Sequence, residues 1–248
     1  MDLKQKIEWL YDKDPRSVER QRALQLFNEF KFFLNRGEIR AAEALGDGWK
    51  VHAWVKKGIL LGFRLGELIE GGGSAVRDGV HMARDVVCMP PTYVDVGAYI
   101  DAGTHIGSHV LVGACAQIGR GVRLGAGTQI GGILEPVDAL PVIVEDRVRI
   151  EGNCGIFDGV VVKRGAVIGP GVVLAGGTAI YDIVRKAVYG REGSRPLVIP
   201  EGAVVVAGSR GIDAPWAAAE RLSVATPLIV RYAGDPPAAH PPRGEEQH

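Results

Sequence analysis

Aliphatic side chains recur every six residues through the middle of this chain, at Val94, Ile100, Ile106, Val112, Ile118, Leu124 and Ile130. The series extends backwards, less cleanly, through Cys88, Met82 and Val76. It breaks after Ile130 at GGILEPVDALP and resumes in steps of six at Val144, Ile150, Ile156, Val162, Ile168, Leu174 and Ile180. Four residues after each aliphatic position stands a small or β-branched residue (Ala98, Thr104, Val110, Ala116, and again Val148, Cys154, Val160, Ala166). One residue after it stands Gly, Asp or Glu in many units: Asp95, Asp101, Gly107, Gly113, Gly119, Gly125, Glu145, Glu151 and Gly169. A helix of 3.6 residues per turn cannot hold such a series on one face. Strand alternation has a period of two, which divides six, so each hexapeptide reads as a short strand and a turn with its aliphatic side chain inward. Three hexapeptides per coil stack into a parallel β-helix of triangular section. About 17 rungs make five to six coils, and at ~4.8 Å per coil the prism is on the order of 27 Å tall. A sandwich of hairpins would not keep one phase through two such runs. Handedness does not follow from periodicity, and ordinary parallel crossovers are right-handed.

The flanks read differently. Residues 2–12 and 16–36 carry helical patterns, with Asp14-Pro15 and Ser17 as a break and a restart. Residues 49–66, WKVHAWVKKGILLGFRLG, read as a further apolar and basic helix. Gly71–Gly73 forms a joint before the prism. After Ile180 the segment YDIVRKAVYGREGSRP leaves the register as a loop or hairpin. Residues 199–206 form a last strand pattern with Pro200-Glu201-Gly202 as its turn, residues 222–232 a further strand, and the final DPPAAHPPRGEEQH a disordered tail. The expected organisation is a helical unit over 1–72, the β-helix over 73–210 and a C-terminal strand and tail over 211–248. The helical part and the last strand cap the open ends of the prism, where strand edges are otherwise bare.

Glycine supplies 35 of 248 residues while proline is ordinary at 14, which fits many tight backbone corners rather than a linker. Lys+Arg and Asp+Glu are equal at 29 each, so no broad electrostatic field for nucleic acid exists. No apolar run reaches the length of a membrane span, and the charged start MDLKQKIEWLYDKD lacks a signal-peptide core. Three cysteines, Cys88, Cys115 and Cys154, show no CxxC spacing and fit a reducing cytoplasm. Neither GAGTQI nor GPGVVL completes GxGxxG, and no GK[ST] occurs, so phosphate-loop readings fall away.

Several stretches carry a family resemblance: His52-x-Trp54-Val55-Lys56-Lys57 with LLGFRL, VGAYIDAGT (96–104), VGACAQIG (112–119), IGGILEP (130–136), VEDRV (144–148), IYD (180–182), YGR (189–191) and IPEGAVVVAG (199–208). They resemble the tetrahydrodipicolinate N-succinyltransferase family among the left-handed β-helix acyltransferases, over most of residues 49–210. The resemblance implies a mainly β fold, a left-handed parallel β-helix of hexapeptide repeats with an N-terminal α-helical cap. It implies a homotrimer with acyl-CoA, succinyl-CoA or acetyl-CoA, between neighbouring prisms, an amine attacking the thioester directly, and no metal. In that setting Gly131, Gly132, Gly152 and Gly169 permit the pantetheine arm to approach the coils, or else simply make turns. Asp101 and Glu135 stand in well-matched segments, for acceptor binding and for support of the site.

Three departures bear on function. The family has an acid in the coil before GxCAQIG, where this chain has Gly107. It has a glutamate after the ED of the coil following the excursion, where this chain has Gly155. It has a longer stretch before the prism, with an arginine for a substrate carboxylate that LGELIEGGGSAVRDG does not match. These losses touch acceptor binding and deprotonation, and a changed acceptor, still a small amine or amino acid, is the simplest expectation beside loss of catalysis or a compensating residue elsewhere in the chain. A catalytically silent β-helix that binds a ligand or partner is the alternative of another class. Acyl transfer to nitrogen needs a free lone pair and stabilisation of an oxyanion. His105, read as a corner residue, and His109, read as a strand residue, are candidate bases, as in a histidine-dependent hexapeptide acetyltransferase. Glu151 and Asp158 flank Gly155 and offer carboxylates. Lys163, Arg185, Lys186 and Arg191 are candidates for the CoA phosphates. Each has a plainer reading as a solvated turn or surface residue. Cys115 and Cys154 read as small buried residues rather than acyl carriers.

Overall fold

The computed structural model describes residues 1–13, 20–65 and 74–234. The Asp14-Pro15/Ser17 break, the Gly71–Gly73 joint and the tail beyond 234 lie outside the described residues. The six-residue series becomes three stacked parallel ladders, each with six strands of the prism. Face 1 begins at Ala75–Val76, face 2 at His81–Met82 and face 3 at Val87–Cys88, and successive hexapeptides visit the three faces in turn. Partners across a ladder are 18 residues apart where no excursion intervenes, as for Tyr99 with Gln117 and His105 with Arg123. The second residue of each two-residue strand points inward: Ile100, Ile106, Val112, Ile118, Leu124 and Ile130 are all 1% exposed or less. Burial of such a side chain contributes about 1.5–3 kcal/mol. Each coil therefore adds three aliphatic units to one continuous core, joined by the small residues Ala98, Ala116, Ala166 and Cys154.

At most corners the third residue after the inward one lies in the left-handed backbone region. Glycine fills it at 79, 97, 103, 121, 127, 159, 165, 171 and 202, while Asp85, His109, Cys115, Arg147 and Asn153 adopt the same positive φ. This corner accounts for the glycine excess, and Asp, Asn and His are the side chains that best tolerate it. It also reverses the expectation for the two histidines. His105 lies in a strand, and His109 turns a corner with φ 60°, its N–H donating to the Pro91 carbonyl at 2.5 Å.

The excursion after Ile130 rejoins the ladder at Ile143–Val144, so it is a loop on the edge between faces 1 and 2. The expected rung at Ile180 keeps its inward burial but not its pairing. Ile180–Asp182 instead forms a hairpin with Ala187–Tyr189 and lies beside Leu228–Ile229 at the end of face 3. The prism regains face 2 only at Val198–Ile199 and face 3 at Ala203–Val206. The expected strand over 222–232 is two strands, Ser223–Ala225 and Leu228–Tyr232, the second closing the top of face 3 against Ala203–Val206.

At the other end, helix α1 (Leu3–Tyr11) starts with a capping box between Asp2 and Gln5. Helix α2 spans Arg20–Asn35. The expected helix over 49–66 is shorter: α3 spans Ala53–Leu65, because Gly48–Val51 pairs with Ala42–Leu45 as a hairpin turning at Gly46. The helices bury Phe30, Leu34, Val55, Ile59 and Leu61 together with Val96 and Cys115, which belong to the edge between faces 1 and 2. The hairpin lies on face 2, where Ala42 and Trp49 pack on Ile143, Val161 and Val198. The helical segment thus covers one face and one edge of the prism rather than merely plugging its end.

Candidate functional site

The sequence candidates fall on different edges. Along the edge from face 3 to face 1, the residues following the inward ones are Met89, Gly107, Gly125, Glu151 and Gly169, stacked by amide bonds such as Gly107 N–H to Leu124 O at 2.8 Å and Glu151 N–H to Ile168 O at 2.9 Å. Glu151 is the only carboxylate in that column. His105 precedes the same edge on face 3, half-buried between Val87 and Arg123. Glu151 stands two coils from Gly107, roughly 10 Å at the spacing of stacked strands. His109 and Gly152 turn this edge as well. The structure thus brings His105, His109, Glu151, Gly152 and Gly169 onto one edge.

The edge from face 1 to face 2 carries Gly131, Gly132, Glu135 and Asp158. Asp158 is a turn residue with φ 54°, and its carboxylate accepts the Gly176 N–H at 3.1 Å. Glu135 is exposed in the excursion loop, before a cis peptide to Pro136. Gly132 packs against the backbone of Gly113 and Ala114 one coil below, so its missing side chain is already accounted for within the chain. Asp101 and Lys163 lie on the third edge, where Lys163 Nζ binds Glu145 at 2.9 Å. Arg185 and Lys186 are in the C-terminal hairpin, and the Arg185 guanidinium lies 3.6 Å from the Tyr232 ring centroid. Arg191 follows that hairpin, bonding the Gly193 carbonyl at 3.3 Å.

The structure also explains why two of the departures are glycines. A Cβ at Gly107 would stand 2.8 Å from the Ala126 nitrogen and 3.0 Å from the Leu124 carbonyl oxygen of the next coil. A Cβ at Gly155 would stand 2.5 Å from Cε2 of Phe157, and a Cβ at Gly131 would stand 2.9 Å from Cδ1 of the same ring. An aromatic ring occupies the space over position 155. Phe157 was missed from sequence; it is the one aromatic side chain in a column otherwise made of Arg77, Asp95, Gly113, Gly131 and Ala175.

A second residue that sequence reasoning passed over is Lys56 on α3. It is 0% exposed, and its ammonium donates to the carbonyl of Ala139 in the excursion loop. Burial lowers its pKa, opposed by nearby Cys115 and Asp138. Leu134 of the same loop packs on the helical cluster, so the helical segment holds the loop at two points.

Burial also keeps the thiols inert. Cys115 is pushed up to about 12 by burial, against the pull of Lys56. Cys154 is raised for the same first reason, and its Sγ donates to the Gly169 carbonyl at 3.1 Å. A thiol that stays protonated is a poor nucleophile. In the native protein an aromatic disulfide reagent is therefore expected to modify only the half-buried Cys88 quickly. Cys115 and Cys154 should react at the rate of unfolding, and fast labelling of all three would overturn this.

Among the described residues no three His, Cys, Asp or Glu side chains are grouped to hold a metal ion, and no helix is long and apolar enough to cross a membrane.

Coils of hexapeptides, a helical segment laid over one face and two faces left bare define a parallel β-helix protein built of hexapeptide repeats. Residues 2–65 match the tetrahydrodipicolinate N-succinyltransferase N-terminal family. A 2,3,4,5-tetrahydropyridine-2,6-dicarboxylate N-succinyltransferase of Idiomarina loihiensis is 39% identical, over 71% of this chain and 73% of its own. The protein of the same name from Legionella pneumophila is 39% identical over 75% of this chain and 76% of its own. The chain belongs to the tetrahydrodipicolinate N-succinyltransferase family. A hexapeptide-repeat acetyltransferase from Vibrio cholerae, solved with acetyl coenzyme A, covers 83% of this chain and 93% of its own at 18% identity and a TM-score of 0.39, too loose a likeness for comparing sites.

Proposed function

We propose that this protein transfers an acyl group from an acyl-CoA thioester to the amine of a small amino-acid-like acceptor, acting as a homotrimer. Family membership over nearly three-quarters of each curated relative carries the reading. The surface supports the assembly. Face 2 is covered from within the chain, whereas face 1 exposes Tyr93, Leu111 and Val173, and face 3 presents His105, Arg123 and Arg149. Two unlike faces suit a ring in which face 1 of one protomer meets face 3 of the next. The acyl-CoA then lies in the groove between prisms, with its phosphates near Arg185, Lys186 or Arg191 and its pantetheine arm along Gly131, Gly132, Gly152 and Gly169, while Lys163 stays paired with Glu145 on the edge between faces 2 and 3.

In the reaction the amine nitrogen attacks the thioester carbonyl, a C–N bond forms, the C–S bond breaks and the CoA sulfur leaves. The amine proton must pass to a base and from it to the leaving thiolate. His105 is our first candidate for that base, with Glu151 on the neighbouring column as the carboxylate that holds the ammonium. His109 and Asp158 rank below them. His109 turns an exposed corner, and the Asp158 carboxylate already accepts a backbone N–H. With Gly107 and Gly155 in place of acids, and Phe157 over position 155, the acceptor differs from the family's own.

The test is a mass-spectrometric acyl-transfer assay offering succinyl-CoA and acetyl-CoA with tetrahydrodipicolinate and a panel of amines and amino acids. His105→Ala is expected to lower kcat by at least ~100-fold, the usual lower bound for losing a general base. An unchanged kcat in His105→Ala, His109→Ala and the double variant would sink the histidine assignment. Wild-type protein that binds CoA yet acylates nothing would sink the enzyme reading in favour of a silent binding protein.

A further inference from the structure

The edge between faces 2 and 3 carries a cleft of about 550 Å³ that the proposed reaction does not use. It lies between the tip of the hairpin Ala42–Val51 and the coils, and is walled by Arg40, Trp49, Tyr99, Asp101 and Gln117. Its organising group is Arg40. The guanidinium carbon sits 3.5 Å from the Tyr99 ring centroid, and the other side chain on that ring is His81, stacked at 4.6 Å. Arg40 Nε donates to the Gln117 side-chain oxygen at 3.1 Å, and the Gln117 amide is itself fixed, donating to the Cys115 carbonyl at 2.8 Å. Burial lowers the Arg40 pKa, opposed by Tyr99, Asp101 and Glu43. Stacking and one hydrogen bond thus fix the plane of a half-buried guanidinium. Among the described residues its two terminal nitrogens have no hydrogen-bond or ion-pair partner. A fork held in this way matches a carboxylate in bidentate geometry.

The remaining charges decide what the carboxylate belongs to. Lys163 is paired with Glu145, whose second oxygen accepts the Arg164 N–H, and the exposed Asp47, Arg164 and Glu201 complete the charged lining with both signs. Asp146 caps the Arg120 N–H, and Asp101 caps the Ala102 N–H with the same oxygen that meets Arg120 at 3.9 Å. The second carboxylate oxygen of Asp101 is left for a ligand. A simple anion would meet Arg40 but face these acids, and a simple cation would meet the acids but face Arg40. A zwitterion satisfies both.

We propose that this cleft binds a free α-amino acid, its carboxylate on Arg40, its ammonium at Asp101 and its side chain beside Trp49. Asp101, expected from sequence to bind the acceptor, is then a ligand residue of a separate site. The inference does not depend on the acyl-transfer reading.

The experiment is a thermal-shift screen of the full chain against the common amino acids. Propionate and succinate serve as carboxylate-only controls, and ethylamine and cadaverine as amine-only controls. Equilibrium dialysis with the radiolabelled hit supplies stoichiometry. Ligand at 100 times its dissociation constant stabilises the folded state enough to raise the melting temperature by several degrees. One or more amino acids should do so, with one site per chain, and the four controls should not. Arg40→Gln and Asp101→Asn should each weaken binding at least tenfold. Arg40→Gln should leave acyl transfer at saturating acceptor within about twofold, which separates this site from the acceptor's. Should Arg40→Gln not fold, Arg40→Lys decides, since it keeps the charge and loses the fork; it too should weaken binding tenfold. No shift with any amino acid, an equal shift with propionate, or undiminished binding in the Arg40 variants would overturn the proposal.

Discussion

Gly113→Ala is expected to destabilise the protein by about 3 kcal/mol, the upper end of what overpacking usually costs. The reason lies in what the added methyl would meet. A Cβ at Gly113 would stand 2.7 Å from the Gly131 carbonyl carbon and the Gly132 Cα, and closer still to the Gly132 nitrogen. These are backbone atoms of the next coil, held by the Gly113 N–H to Ile130 carbonyl bond at 2.8 Å, and no side chain can swing aside. The coils must part, and the Gly131–Gly132 strand end moves with them. A fall of ~6–12 °C in melting temperature is the corresponding signal for a chain of this size. Acyl transfer should fall in parallel, because the displaced segment leads into the excursion loop. A change within about 2 °C would show that the coils yield more easily than packed backbone normally does.

Lys56→Ala is expected to cost about 3 kcal/mol, by removing a wholly buried stem and leaving the Ala139 carbonyl without its donor. Lys56→Met keeps the volume and should stay within about 1.5 kcal/mol of wild type. The two variants differ further in what pH does. Burial holds the folded-state pKa of Lys56 below its ordinary value of 10.5. Between those two values the unfolded chain binds the additional proton, so wild-type stability should rise with pH across that interval. Lys56→Met should lack this rise. Urea midpoints measured at a series of pH values up to the ordinary lysine range would test it. Parallel slopes for the two proteins would mean that Lys56 keeps an unperturbed pKa and that its burial is relieved by other contacts. Both variants should lower turnover more than their stability loss explains, because the excursion loop is anchored through Lys56 and Leu134.

The β-helix was readable because its physics is local and repeated. One inward aliphatic side chain and one left-handed corner per six residues leave a signature at a fixed spacing. Even so, periodicity overran its range at Ile180. The phase persists there, yet the strand pairs with Ala187–Tyr189 rather than continuing the prism, since pairing depends on what lies across the gap. The corner was placed at the wrong residue of the repeat, so His105 and His109 were read with strand and turn exchanged. The hairpin over Ala42–Val51 was also missed, for its strands are four residues each and mostly exposed, and the first of them does not alternate.

The candidate site was far less legible than the fold. Residue types alone offered Glu151 and Asp158 as carboxylates, Asp101 for the acceptor and Lys163 for the CoA phosphates, and the coils sort them onto three different edges. The meaning of Gly155 depends on a ring two residues later that folds back over it, and that of Arg40 on the Tyr99 face against which it lies. By itself the sequence determined the hexapeptide coil, the inward residues, the excursion at GGILEP and the family likeness, since each is written in spacing or in contiguous motifs. The tertiary structure alone decided which edge each charged group occupies, which face is covered, and which buried cations hold the excursion loop and the second cleft. Those relations join residues tens of positions apart, as Lys56 joins Ala139 and Arg40 joins Gln117, and only the stacking of coils brings such partners within reach of one another.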